Sequence, residues 1–228
     1  APVKVLVVKL SSLGDVIHTL PALGDAAAAR PGIRFDWVVE EAFAEIPAWH
    51  GAVDRVIPVA LRRWRKRPLQ AFTGPEWRLA RAALGAQRYD AVIDAQGLIK
   101  SAVIARLVAA PRYGMDRASA RERFAALAYD HPLAVPRDMH AVKRSRLLFA
   151  RALGYALPAS PVAYGIDAAI TAATDLPLGL LFFHGSARAE KLWPETHWVS
   201  LAALAAAAGY RVCLPWGDAL EEQRARRI

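Results

Sequence analysis

Six short apolar runs, VKVLVV, FDWVV, RVIPVA, YDAVIDA, LGLLFF and YRVCLP, recur along the chain, mostly separated by alanine- and leucine-rich stretches of helical spacing. This alternation is the strongest constraint on the fold, because strands joined through helices run parallel and need helices on both faces of their sheet. Near-continuous runs such as Val5 to Val8 suit strands covered on both sides. The predicted class is α/β, built on doubly wound, Rossmann-like sheets.

From Gly154 to Leu178 the pattern loosens into a proline-dotted stretch with no clear period, and a fresh strand begins near Leu180. Residues 1–155 read as a complete doubly wound domain. Residues 156–228 read as a linker followed by strand, helix, strand and the start of a helix, too little sheet for a second α/β domain. The expectation is that the second domain is incomplete in this chain and that the chain is a portion of a longer protein.

Composition narrows the partners. A net charge of +9 and a pI near 10.1 favour anions: nucleic acid, anionic lipid head groups or phosphorylated substrates. The longest alanine- and leucine-rich stretch, LAALAAAAGY, is too short to cross a bilayer, and the N-terminal run is broken by Lys9, unlike a signal peptide. A single cysteine, Cys213, allows no internal disulfide and fits a reducing compartment, so the expected location is the cytoplasm.

Chemistry is expected at the carboxyl ends of the strands, where loops and helix N-termini of such sheets gather. Asp15 lies in the loop after the first run, in KLSSLGD, with Lys9, Ser12 and Gly14; it reads as a carboxylate facing a crevice or as a cap on the following helix. The loop lacks both G-x-G-x-x-G and a Walker A lysine. A second loop, DAQGLIKS, brings Asp94, Gln96 and Lys100 to the same edge. The segment LRRWRKRP carries Arg62, Arg63, Arg65, Lys66 and Arg67 around Trp64, more cation than solubility requires, and should grip an anion. It has no helix-turn-helix or zinc pattern beside it. In LLFFHGSARAEKLWPETHW, Ser186, Arg188 and Lys191 stand in a strand-to-helix loop suited to a diphosphate. The six histidines form no H-x-x-x-H pair, and there is no D-x-D pair for a divalent ion.

Taken together and in order, VKLSSLGDVIHTLPAL, FDWVVEEAFAEIPAWH, RVIPVALRRWRKR, YDAVIDAQGLIKSA, HGSARAEKLWPETHW and LPWGDALEEQRA resemble the lipopolysaccharide heptosyltransferases, glycosyltransferase family 9, over essentially the whole chain. The resemblance implies a GT-B fold, two Rossmann-like domains facing a cleft. It also implies an inverting, metal-independent and cofactor-free transfer of L-glycero-D-manno-heptose from ADP-heptose to the Kdo residue of Kdo-lipid A. Asp15 then matches the catalytic base. Lys9, Ser12, Gly14, Arg62, Arg63, Arg65, Lys66, Asp94, Gln96 and Arg121 fall on the acceptor side, and Ser186, Ala187, Lys191 and Glu221 on the donor side. Ser186 and Ala187 stand where the family carries two threonines, and its later D-T-G-L-x-H segment has no counterpart in these residues. The implied partners are ADP-heptose, Kdo-lipid A and the cytoplasmic face of the inner membrane, touched peripherally by a monomer, with no nucleic acid. The alternatives are an enzyme adding the second heptose and a non-catalytic module binding anionic lipid or nucleic acid.

Overall fold

The computed structural model describes residues 3–64, 74–159, 161–166, 179–186 and 188–228, apart from the Arg62 side chain. The chain divides into two compact units, Ala1–Ala172 and Ala173–Ile228.

In the first unit, β1 (Lys4–Val8), β2 (Arg34–Glu40), β3 (Val53–Val59), β4 (Ala91–Asp94), β5 (Arg112–Met115) and β6 (His131–Leu133) form one parallel sheet in the order β3-β2-β1-β4-β5-β6. This is the doubly wound order, whose direction reverses between β1 and β4. Val8 pairs with Val38 on one side and Asp94 on the other, so the ends of β1 and β4 open together at that switch point.

Side chains alternate across each strand, and the sequence uses both faces. Val5, Val7, Phe35, Trp37 and Ile93 point to one side, where they meet Leu20 and Leu23 of α2 (Leu20–Ala29) and Leu148 and Phe149 of α7 (Ala141–Leu153). Leu6, Val8, Val38, Ile57 and Val92 point to the other side, onto Leu84 of α5 (Pro75–Gly85) and Ile104 and Ala105 of α6 (Ile99–Arg106). Shorter helices α1 (Leu13–Ile17), α3 (Glu45–Ala48) and α4 (Leu61–Trp64) follow β1, β2 and β3. A 3-10 turn, Arg123–Ala128, joins β5 to β6.

The strand-like runs named from the sequence all form strands, but β5 (RYGM) and β6 (HPL) were not among them. Each is four residues or fewer with little apolar content; pairing with β4 and then with each other makes them strands. The first unit also extends past residue 155. Gly154 takes a left-handed conformation (φ +68°) that ends α7, as suits a residue without a Cβ. The chain then turns back so that Tyr155, Tyr164 and Ile166 pack on the first core, and Ile166 bridges His50. Arg146 fastens α7 to α2 through Asp25 at 2.6 Å and also donates to the Pro158 carbonyl.

The second unit holds a parallel pair, β7 (Gly179–Leu181) and β8 (Arg211–Cys213), with α8 (Glu195–Ala207) and α9 (Ala219–Arg227). Pro194 is the N-cap of α8.

Near the start of β1 a buried carboxylate ties three strands. Asp36 meets Lys4 at 2.8 Å, Arg55 at 2.7 Å and the Tyr89 hydroxyl at 2.8 Å. Burial works to raise its pKa, but hydrogen bonds from Lys4, Arg55 and Tyr89 outweigh it and hold the carboxyl below its usual range. A depressed carboxyl stabilises the fold above the unfolded value near pH 4 and loses that contribution as pH falls through the folded value. Asp36→Asn is expected to cost about 2–4 kcal/mol in urea unfolding at pH 7. The deficit should shrink as the pH is lowered below about 4.

Candidate active site

The switch-point crevice is built by a hydrogen-bond clamp. Asp94, the last residue of β4, is fully buried; its Oδ1 accepts from the amides of Gln96 (2.8 Å) and Gly97 (3.2 Å), and its Oδ2 from the Tyr129 hydroxyl (2.7 Å). Gln96, held by that bend, aims its Oε1 at the amides of Leu10 and Ser11, at 2.9 and 3.1 Å. The loop after β4 thereby fixes the loop after β1. Burial raises the Asp94 pKa, opposed by Tyr129 and the two amides.

Asp15 sits in the first turn of α1. Its Oδ2 accepts from the Ser12 amide at 3.2 Å, and its Oδ1 has no hydrogen-bond partner among the described residues. Asp15 thus braces the first turn of α1 through one oxygen and also lines a crevice. The crevice, about 120 Å³, is lined by Lys9, Asp15, Gln96 and Arg121, together with His18, Met115, Arg144 and Ser145. Lys9 is buried, donating to the Ala95 carbonyl at 3.0 Å. Burial lowers its pKa while Asp15 and Asp94 pull it back up. Arg144 donates to the Ser119 carbonyl at 2.8 Å, its Nε has no partner among the described residues, and burial pulls its pKa down, with Arg137 adding to this. Arg121 is exposed at the mouth and forms no ion pair among the described residues. Ser12 is the N-cap of α1 and Gly14 lies in its first turn; neither is in the crevice lining, and a Cβ at Gly14 would meet nothing within 4 Å.

Two residues expected on the acceptor side are engaged within the fold. Asp94 is fully buried and positions the loop after β4. Arg63 is committed within the fold: it meets Glu41 at 2.9 Å and Glu76 at 2.7 Å, while Trp64 Nε1 donates to the same Glu76 at 2.9 Å. Glu41, then Glu76, hold the Arg63 guanidinium above its ordinary range. These surface ion pairs link α4 to α5 and to the 3-10 turn Glu41–Phe43. The Arg62 side chain, Arg65, Lys66 and Ala187 lie outside the described residues. Lys100 is exposed on α6, away from the crevice lining. The sequence reading passed over His18, although three residues after Asp15 is helix-neighbour spacing. It also passed over Arg144, which comes from distant α7 and has no local signal.

In the second unit, of the residues expected on the donor side, Ser186 and Lys191 follow β7 and Glu221 follows β8. Asp218 caps α9 through the Glu221 amide (2.9 Å), and Glu221 Oε2 accepts from Gly217 (2.8 Å). A Cβ on Gly185 would run into the Glu221 carboxylate unless that side chain shifted, so the two loops lie in contact there. Ser186 follows on that loop, its Oγ facing the Arg188 amide at 3.4 Å. Lys191 stands exposed at the end of the 3-10 turn Ala189–Lys191. No group of three or more metal-ligating side chains occurs among the described residues.

A doubly wound sheet with cations and one half-free carboxylate at its switch point defines an α/β protein built to receive an anionic ligand there. The glycosyltransferase family 9 (heptosyltransferase) profile matches residues 77–228. The chain is 51% identical to lipopolysaccharide heptosyltransferase 1 of Escherichia coli K12 over 99% of its own length and 72% of that protein. Identity to the Pseudomonas aeruginosa protein of the same name is 54%, over 99% and 64%. The structure of E. coli heptosyltransferase WaaC with ADP-2-deoxy-2-fluoro heptose superposes with a TM-score of 0.91 at 51% identity, covering 98% of this chain and 72% of that one. The chain belongs to glycosyltransferase family 9, the heptosyltransferases, and over the part it spans has their α/β GT-B fold.

Tyr129→Phe leaves Asp94 Oδ2 buried without its donor and is expected to cost about 1–3 kcal/mol in chemical denaturation. A carboxyl with a raised folded pKa destabilises the fold progressively as pH rises above its unfolded value, and losing Tyr129 raises it further. The deficit should therefore be larger at pH 7 than at pH 4.

Proposed function

We propose that the protein transfers L-glycero-D-manno-heptose from ADP-heptose to the Kdo residue of Kdo-lipid A, with inversion. The observation that carries the reading is Asp15, with one carboxylate oxygen tied to the Ser12 amide and the other without a hydrogen-bond partner among the described residues, in the lining of a crevice shared with Lys9, Arg121 and Arg144. The tied oxygen fixes the carboxylate. The free one takes the proton from the acceptor hydroxyl while that oxygen attacks the anomeric carbon from the face opposite ADP. The glycosidic bond forms as the bond to the diphosphate breaks, and ADP leaves with the electron pair.

An acceptor bearing carboxylates and phosphates suits the first unit's crevice, where arginines bind such groups in two-point fashion. The leaving diphosphate gains negative charge, and the second unit offers the Ser186 hydroxyl, Lys191 and the N-terminus of α8 to meet it. The reading assigns no metal or cofactor to the step. Among the described residues no helix is long and apolar enough to cross a membrane, so we place the protein peripherally, on the cytoplasmic face of the inner membrane where its acceptor is assembled.

Asp15→Asn keeps an acceptor for the Ser12 amide but cannot take the proton. It is expected to lower kcat for ADP release from ADP-heptose in the presence of Kdo-lipid A by roughly 10²- to 10⁴-fold. Its melting temperature and donor affinity should barely change. Near-parental turnover in the asparagine variant would reduce Asp15 to a helix cap, and a parent that used only already heptosylated acceptor would be the second-heptose enzyme.

A further inference from the structure

On the first unit, α6 and the 3-10 turn Arg123–Ala128 share one surface that the active-site chemistry leaves unused. The buried side of α6 includes Ala102, which packs on Ala125 and Ala126 of the turn, so the outward sides of the two elements are adjacent. Ile99 and Val103, each 49% exposed, lie one helical turn apart on the outer stripe of α6, with Leu107 just beyond. On the turn, Phe124 is 53% and Leu127 63% exposed, although their neighbours Ala125 and Ala126 are buried. An open groove of about 410 Å³ runs beside Leu127, walled by Ala118, Ala126 and Pro132.

Cations are interleaved with these apolar groups. Lys100 and Arg106 stand exposed on the α6 stripe, and Arg117, Arg121 and Arg123 on or before the turn. The Arg123 guanidinium lies over the Phe124 ring, 4.7 Å from its centre. Two carboxylates within the patch are engaged locally: the exposed Glu122 accepts from the Ile99 amide at 2.7 Å, and the half-buried Asp116 from the Ser119 amide at 2.8 Å, so cations outnumber free carboxylates on this face.

We propose that this face is where the protein seats on an anionic lipid bilayer, with Phe124 and Leu127 entering the interface and the surrounding cations meeting the head groups. The proposal rests on the lipid-acceptor reading above and adds the surface to it. Charge complementarity selects the occupant. A protein partner would favour a patch whose centre is depleted of charge, whereas here long cationic stems are mixed among the apolar groups, the arrangement that lets charge reach head groups while apolar side chains insert. The face is also continuous with the active site, because Arg121 lines the crevice mouth.

Co-sedimentation with vesicles of phosphatidylglycerol and phosphatidylethanolamine, against vesicles of phosphatidylcholine, tests the surface without donor or acceptor. The parent protein should prefer the anionic vesicles, and the preference should fade at high salt. Phe124→Ser with Leu127→Ser should weaken partitioning roughly tenfold or more, and Arg106→Glu with Arg117→Glu comparably at low salt. Leu127→Trp should strengthen it, an outcome that misfolding cannot produce. All three variants should transfer heptose to a soluble, acyl-free Kdo acceptor at the parental rate. Equal vesicle binding by parent and serine variant, or no anionic preference in the parent, overturns the surface. A parent that binds vesicles as described but fails on the soluble acceptor overturns the functional reading instead.

Discussion

The site depends on one buried carboxylate. Asp94 ends β4 with both oxygens occupied, and the bend it imposes lets Gln96 reach across the sheet to the amides of Leu10 and Ser11. Those amides would otherwise be unpaired donors in a protein interior, and satisfying them fixes where α1 begins. Tyr129, which completes the clamp, passes so close to β5 that a Cβ on Gly114 would enter its ring. A glycine in a weak strand and a tyrosine after a 3-10 turn thus determine where Asp15 stands.

The carboxylates of the first unit divide by how completely they are satisfied. Asp36 and Asp25 are matched by guanidinium or ammonium partners and hold strands and helices together. Glu41 and Glu76 neutralise Arg63 and anchor the base of the arginine-rich segment. Asp15 keeps one oxygen open, while Lys9, Arg144 and Arg121 beside it have little counter-charge among the described residues. Low solvent access strengthens the charges of Lys9 and Arg144 toward an incoming anion, whereas Arg121 is exposed.

The second unit handles charge differently. Its loops are short and its strands brief, and close approach through Gly185 lets the turn after β7 touch the start of α9. Hydroxyl, ammonium and helix N-terminus are inexpensive ways to meet a diphosphate, because backbone dipoles are already oriented before the ligand arrives.

The sequence by itself determined the α/β class, since apolar runs buried on both faces and separated by helical stretches admit little else. It also determined the strand ends on which Asp15 and Gln96 lie, and the arginine-rich and strand-to-helix loops that suggested anions. Only the tertiary structure decided which of those residues act together. Whether Asp94 touches a ligand depends on its burial, and burial depends on Tyr129, thirty-five residues away along the chain. Whether Arg63 is free depends on Glu76, brought beside it by α5. Arg144 enters the crevice because α7, which follows β6, packs back beside α2 on one face of the sheet. β5 and β6 are strands by virtue of their neighbours, and they carry too few apolar residues to declare it themselves. Periodicity is local and survives in sequence, whereas the pairing of charges and the occupancy of hydrogen bonds are set by contacts between segments far apart in the chain.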